Sequence, residues 1–394
     1  MLYRLRGCNN CCMRTFITAA RLFDGSGFLA EPLVEIEDGK VVSIARRGER
    51  SLPAGVTPID FPAATLAPAF FDVHFHGARG HDVMEASPEA IAAIGGYLPA
   101  CGTATYLATT VTAPLDITLR AIEALAKLIA RPAQPGLARP IGIHLEGPFL
   151  SRAKCGVQPV EHLLTPSIAT FDRMVDAGQG HVRLITIAPE LEGAAELIAH
   201  AASRGVRVSL GHSNATTAET RRAVEAGAAS ATHTFNAMRP FDHREPGILG
   251  VALTEDRLYA ELICDGIHTA PESVVLWFRA KGSSRAILIT DSMSAAGMPN
   301  GEYFLGGFPV QVTDGRAMAR GVLAGSVLNQ GLALENFLRF TGARLDQALP
   351  LVTTNPAAMT GLDTGKLVLN ATANLVALDG NGHLAATFIQ GKRC

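Results

Sequence analysis

Phe71-Asp72-Val73-His74-Phe75-His76-Gly77 alternates between apolar and polar residues and stops at a glycine. Side chains two apart in a strand lie on the same face, so His74 and His76 point the same way. Two imidazoles on one face begin a metal site. They do not complete one, and the fold must bring further ligands to the same place.

Outward from this stretch the chain alternates apolar, strand-like runs with helical ones. That is the pattern of parallel strands joined by crossover helices. Eight runs fit, at 66–76, 103–110, 140–146, 182–187, 207–212, 230–235, 258–265 and 285–291. Helical stretches such as 117–130, 194–204 and 217–226 lie between them. Eight such units predict an α/β fold, a (β/α)8 TIM-type barrel.

The polar residues fall at the ends of these runs. The first ends in His74 and His76, the third in His144 and Glu146, the fifth in His212, the sixth in His233 and Asn236, the seventh in Asp265 and His268, and the eighth in Asp291. Barrel active sites lie at the C-terminal ends of the strands. Any one of these residues alone reads equally well as a hydrogen-bonded strand end. Six strands delivering His, Asp or Glu to one mouth read as a site.

The flanks differ from the middle. Residues 13–65 and 360–394 are short alternating runs with turn signals at Asp38-Gly39 and Asp379-Gly380. They predict one small β-sandwich-like domain built from both termini, with the barrel at 66–359 and an extension at 1–12 expected to be disordered. Past the eighth run, a glycine-rich section over 295–325 is expected to hold a hairpin around 303–312, and a helix follows at 327–341. A last helical segment at 345–354 is expected to be closed by Asn355-Pro356.

Hydrophobic residues make up 48%, charged residues 18%, and the formal net charge is −2. No dense basic run argues for nucleic acid. The uncharged run 90–115 is long enough to suggest a membrane span, but Gly95, Gly96, Pro99 and Gly102 interrupt it, so a helix end followed by a buried strand is expected. With no apolar signal segment at the start, a cytoplasmic protein is expected. The seven cysteines form no disulfide framework. Cys8, Cys11 and Cys12 cluster without a partner cluster and read as part of an extension, or of an over-long start preceding Met13. Cys101 and Cys264 read as core.

Four histidines and a carboxylate at one mouth suit one or two divalent cations of the zinc or iron type per subunit. Such a cation acidifies water and polarises a carbonyl. A hydrolysis then needs a group to take the water's proton and pass it to the leaving amine. Asp291 is the strongest candidate for both steps; its other reading is a carboxylate that orients a ligand histidine.

The motifs Ile143-His-Leu-Glu-Gly-Pro-Phe149, Gly211-His-Ser-Asn-Ala-Thr216, His233-Thr-Phe-Asn-Ala-Met238, Arg244-Glu-Pro-Gly247, Asp265-Gly-Ile-His268 and Thr290-Asp291 follow His74-x-His76 in order. Together they resemble the N-acetylglucosamine-6-phosphate deacetylase family of the amidohydrolase superfamily, over nearly the whole chain. The resemblance implies that Glu146, His212 and His233 bind the principal metal, that His74 and His76 match a second metal position, and that Asp291 is the acid/base. It implies that Asn236 and the Ala237 backbone hold an amino-sugar phosphate, that His268 contacts substrate, and that Arg244 grips the phosphate of a neighbouring subunit in a homodimer. From the residues alone, Arg244 reads better as a loop ion pair with Asp242 or Glu245, and His268 equally as a satisfied loop histidine.

The chain also departs from the family pattern. Gln158 stands where several members place a histidine that reaches the scissile carbonyl, and an amide can donate there but cannot be cationic. Cys155, in the same loop, could approach a metal or respond to oxidation; a solvent-facing thiol is the simpler reading. A rival amidohydrolase acting on a cyclic amide often uses a carboxylated lysine after the fourth strand, where this chain has Ala188-Pro-Glu190. N-acetylgalactosamine 6-phosphate is the alternative substrate, and a non-catalytic sugar-phosphate-binding barrel the alternative class.

Overall fold

The structure, a computed structural model, describes residues 14–394. The extension expected at 1–12, its cysteines and Met13 lie outside the described residues. Eight parallel strands form the central sheet: β1 (Phe70–Phe75), β2 (Thr103–Thr110), β3 (Arg139–Glu146), β4 (Val182–Ile187), β5 (Arg207–Leu210), β6 (Ser230–Ala231), β7 (Tyr259–Ile263) and β8 (Ala286–Ile289). They neighbour one another in sequence order, the order of a (β/α)8 barrel. The edges meet just past β8, where the Asp291 amide donates to the His74 carbonyl and the amides of His76 and Gly77 donate to the Ser292 carbonyl. The sheet is thereby closed into the expected barrel.

Helices cover the barrel for a reason visible in their sequences. Leu115–Ile129 buries Ala121, Ile122, Leu125, Ala126 and Ile129 on one face and leaves its charged residues outside. Thr217–Glu225 begins with a capping box in which Thr216 and Glu219 satisfy each other's backbone amides, fixing the chain just after His212. The uncharged run 90–115 resolves into the helix Pro88–Tyr97, a 3-10 turn and the wholly buried β2. Among the described residues no helix is long and apolar enough to cross a membrane. Cys101 and Cys264 are buried, as expected.

The second sheet joins both ends of the chain. Its strands run in the order Lys392–Arg393, Leu384–Ile389, Leu375–Leu378, Ile59–Pro68, Arg14–Phe23, Pro32–Glu37, Lys40–Arg46, with Phe28–Ala30 on Arg14–Phe23. It has its own core around Ile17, Val34, Leu66, Leu375 and Phe388.

Four expectations need correction. The run 66–76 is not one strand. Leu66, Ala67 and Pro68 pair with Ala377, Val376 and Leu375 in the small sheet, and β1 starts only at Phe70. The ladders of the fifth to eighth strands stop at Leu210, Ala231, Ile263 and Ile289, short of the expected ends; past the fifth, sixth and eighth, the left-handed backbones of His212, His233 and Asp291 leave the extended conformation that a ladder needs. The glycine-rich section holds a four-stranded antiparallel sheet, Gly301–Leu305, Phe308–Thr313, Arg316–Ala319 and Val322–Leu323, rather than one hairpin. Asn355-Pro356 does not end the helical segment, since Thr354–Thr360 is a further helix with Pro356 in its first turn, where no backbone donor is needed.

Candidate metal centre and active-site pocket

Strand β1 carries His74, His76 follows one residue past its end, and their Nε2 atoms lie 3.2 Å apart. Glu146 is the last residue of β3. His212, His233 and Asp291 each sit two residues past the end of β5, β6 and β8. All three have left-handed backbones, with φ of 46°, 27° and 51°. Non-glycine residues avoid that region, and such strain clusters at functional sites. Here it turns three side chains from the barrel rim towards its axis.

Two triads result, His74 with His76 and Asp291, and Glu146 with His212 and His233, each with its ligand atoms within 4.8 Å of one another. Glu146 stands between them. Its Oε1 is 3.1 Å from Nε2 of both His212 and His233 and 3.4 Å from that of His74, and its Oε2 is 3.4 Å from Nε2 of His76. His76 Nε2 is 3.1 Å from Asp291 Oδ1. All six residues are buried.

The donor set fits a divalent cation. His76 gives its Nδ1–H to the Thr109 carbonyl at 3.0 Å, and His212 gives its own to the Lys154 carbonyl at 3.0 Å. Each therefore turns the lone pair of Nε2 into the cluster, where it meets other nitrogens and carboxylate oxygens. Only a positive charge relieves that crowding. The same field shows in the titration of the metal-free site. Burial opposes charge on His76, but Asp291 and Glu146 outweigh it and push the imidazole up to about 9. Burial likewise works against the Glu146 and Asp291 carboxylates, and the neighbouring histidines hold both below the usual range. His144, buried and beside His74, goes the other way and stays neutral far below its ordinary value.

The cluster forms the floor of a cleft of about 270 Å³. Gln158, Asn236, Ala237 and His268 line it, and Leu305, Val322 and Leu323 of the antiparallel sheet form an apolar wall. His268 is fixed by its Nδ1 on Asp265 Oδ2 at 2.7 Å. Gln158 donates its amide to Glu146 Oε2 at 2.7 Å and accepts from the Thr112 amide at 2.8 Å, so its orientation is set. Arg244 does not join this group. It is exposed on the loop before the helix Gly247–Thr254, and its backbone amide bonds to Asp242. Cys155 is partly exposed and does not line the cleft, although Gly156 beside it does.

Two glycines admit no side chain. A Cβ on Gly77 would lie 2.2 Å from the His81 carbonyl oxygen, and one on Gly147, at φ 101°, would lie 2.2 Å from Thr112 Oγ1. Each follows a member of the cluster, His76 or Glu146, and lets the chain turn away at once.

Sequence reasoning missed three carboxylates. Asp72, one strand period before His74, is buried, accepts from Thr290 Oγ1 at 2.6 Å and from the His74 amide at 3.2 Å, and is pushed up to about 6 by burial. Its place in the alternation was a usable signal. Glu261 sits inside the otherwise apolar β7, and a charge in such a run was a signal too. Glu190 accepts from Ser213 Oγ at 2.7 Å and from the Asn214 amide at 2.6 Å, anchoring the loop behind His212. Nothing in its sequence context marks that role.

Comparison with known proteins agrees with this geometry. The model of the amidohydrolase family matches residues 65–394. An N-acetylgalactosamine-6-phosphate deacetylase of Escherichia coli O157:H7 is 38% identical over 96% of this chain and 99% of its own. An N-acetylglucosamine-6-phosphate deacetylase of Bacillus subtilis is 36% identical over 91% of each. A solved structure of N-acetyl-D-glucosamine-6-phosphate deacetylase from Mycobacterium smegmatis, an aspartate-to-alanine mutant in complex with N-acetyl-D-glucosamine-6-phosphate, superimposes with a TM-score of 0.89 at 36% identity, covering 96% of this chain and 99% of that one.

Proposed function

Because the chain belongs to the amidohydrolase family, we propose that it hydrolyses the acetamide of N-acetylglucosamine 6-phosphate to glucosamine 6-phosphate and acetate. The observation that carries this reading is the convergence of two triads, one of which includes Asp291, on the floor of one cleft whose walls include Asn236, Ala237 and His268.

Glu146, His212 and His233 would hold the principal cation, and His74 and His76, with Asp291 beside them, a second. Imidazole-rich sites with a carboxylate favour zinc or iron. When bound, such a cation supplies Lewis acidity to a carbonyl and lowers the pKa of water. Asp291 is kept ionised by its histidine neighbours, so it is competent to take a proton from attacking water. It then returns that proton to the departing amine. Asn236, the Ala237 backbone and His268 position the sugar phosphate, and Gln158 keeps Glu146 in place at the edge of the acetamide. Arg244 is exposed and absent from its own chain's cleft, which supports its service to a partner subunit in a homodimer. A charged sugar phosphate does not cross membranes unaided, so the cytoplasm is the expected setting.

The 38% identity to an N-acetylgalactosamine-6-phosphate deacetylase favours one second reading, the epimeric substrate. Acetate release from both phosphorylated sugars and from unphosphorylated N-acetylglucosamine, with and without a chelator, tests all of this. Chelator-sensitive release that is fastest with N-acetylglucosamine 6-phosphate is expected. Faster release from the galactose epimer would transfer the assignment to it. No release from any of the sugars by metal-loaded protein would remove the activity.

A further inference from the structure

Barrel interiors of this kind are ordinarily filled by branched apolar side chains. Beneath this metal centre a line of polar groups crosses the interior instead. His144 Nε2 pairs with Thr186 Oγ1 at 2.9 Å, Thr186 Oγ1 with Thr232 Oγ1 at 3.0 Å, and Thr232 Oγ1 with Ser209 Oγ at 2.6 Å. Ser209 and Ser230 then donate to Glu261 Oε1 at 3.3 and 3.1 Å. Glu261 is fully buried, at 0% exposure. Its other oxygen, Oε2, has no hydrogen-bond partner among the described residues, and neither does His74 Nδ1. These two atoms lie 3.7 Å apart.

Buried polar atoms are nearly always paired, and a ligand histidine nearly always gives its second nitrogen's proton to an acceptor. For His76 and His212 that acceptor is a backbone carbonyl. His74 has no such carbonyl. We propose that Glu261 takes this part and is the positioning residue of His74. It accepts the proton on Nδ1 and so holds the ring in the tautomer that turns the Nε2 lone pair towards Asp291 and His76. The polar line on its far side fixes the carboxylate by occupying Oε1, which leaves Oε2 for the histidine. This inference rests on the reading of His74 as a metal ligand.

Glu261→Gln is the sharp test because it keeps size and the Oε1 acceptor. An amide N–H facing His74 makes Nδ1 an acceptor and drives the proton to Nε2, where it blocks a metal; an amide oxygen there is only a neutral, weaker partner. Zinc binding to the metal-free full-length protein, followed by competition with a chromophoric chelator, is compared for wild type, Glu261→Gln, Glu261→Asp and His74→Ala. We expect Glu261→Gln to weaken one binding step by about 10–100-fold, the same step that His74→Ala weakens. The other step should be unchanged, and Glu261→Asp should recover part of the loss. Wild-type affinity in Glu261→Gln, beside a clear loss in His74→Ala, overturns the proposal alone. Unchanged affinity in His74→Ala overturns the metal reading and the proposal with it. An equal loss at both steps, with a lower melting temperature of the metal-free variant, makes Glu261 structural filler and also overturns the proposal. Should Glu261→Gln fail to fold, 15N-histidine spectra of zinc-loaded wild type decide the matter. His74 protonated at Nδ1 supports the proposal, and His74 with a bare Nδ1 overturns it.

Discussion

His76 and Asp291 meet across the seam of the barrel, Nε2 to Oδ1 at 3.1 Å. Their neighbours in sequence form the seam itself, since the Asp291 amide bonds to the His74 carbonyl and the His76 amide to the Ser292 carbonyl. Closing the barrel and placing the proposed acid/base against the histidine pair are thus one event. Asp291 cannot drift without opening β1 from β8.

Asp291→Asn keeps that seam, because the backbone bonds do not involve the side chain, but it removes the proton acceptor. Turnover of N-acetylglucosamine 6-phosphate is expected to fall by about 10²–10⁴-fold. Metal bound through Glu146, His212 and His233 should remain. Steady-state kinetics beside elemental analysis check both. A variant within a few-fold of wild-type turnover would take Asp291 out of the proton transfer.

Removing the cation should affect stability as well as rate. Metal-free protein packs lone pairs and carboxylates together within one buried cluster. A cation held at about 100 times its Kd stabilises the folded state by about 2.7 kcal/mol. Dialysis against a chelator is therefore expected to stop acetate release and lower the melting temperature, and zinc or ferrous iron should restore both. An unchanged melt and undiminished release after verified metal removal would contradict the proposed centre.

Much of this was legible in the sequence, and the exceptions have physical causes. The β1 motif, the strand-end histidines and Glu146 could be read because strand period and barrel topology together fix where strand ends go. Where β1 begins could not, since Leu66 and Phe71 are equally apolar and only the pairing with Leu375–Leu378 separates two sheets. The left-handed backbones of His212, His233 and Asp291 are invisible in residue type, because non-glycine residues of any type take that conformation only uncommonly. Gln158 is marked only by the family resemblance, and its bond to Glu146 depends on a loop whose path no periodicity describes.

Arg244 offers a test that no single chain can pass. If it serves the partner's cleft, Arg244→Ala and Asp291→Asn lie in different halves of one composite site. Each variant alone should be weak, with Arg244→Ala raising KM for the phosphorylated sugar by about 10–100-fold through loss of a charged hydrogen bond. Mixed under conditions that exchange subunits, the two should recover activity, because one cleft in the heterodimer joins a native Asp291 to a native Arg244. No gain on mixing, with exchange verified, would place Arg244 in its own chain's cleft or outside the site.

Lys281 gives a prediction independent of the chemistry. It lies in the helix Pro271–Arg285, is only 6% exposed, and donates Nζ to the Glu255 carbonyl at 2.8 Å. Burial pulls its pKa down to about 8, against partial support from Asp256 and Glu255. In the unfolded chain a lysine keeps its proton to about pH 10.4. Between these values the unfolded state binds more protons, so this residue's contribution to stability improves as pH rises from about 8 to about 10. At pH 7 both states carry the charge and the burial penalty is full. Lys281→Met removes the penalty, which amounts to no more than about 3 kcal/mol, and loses one hydrogen bond worth about 1 kcal/mol. The melting temperature of Lys281→Met relative to wild type should therefore be most favourable at pH 7 and fall steadily towards pH 10. Thermal melts of both proteins across that range check it. A difference that is flat with pH would show that Lys281 keeps an ordinary pKa in the fold.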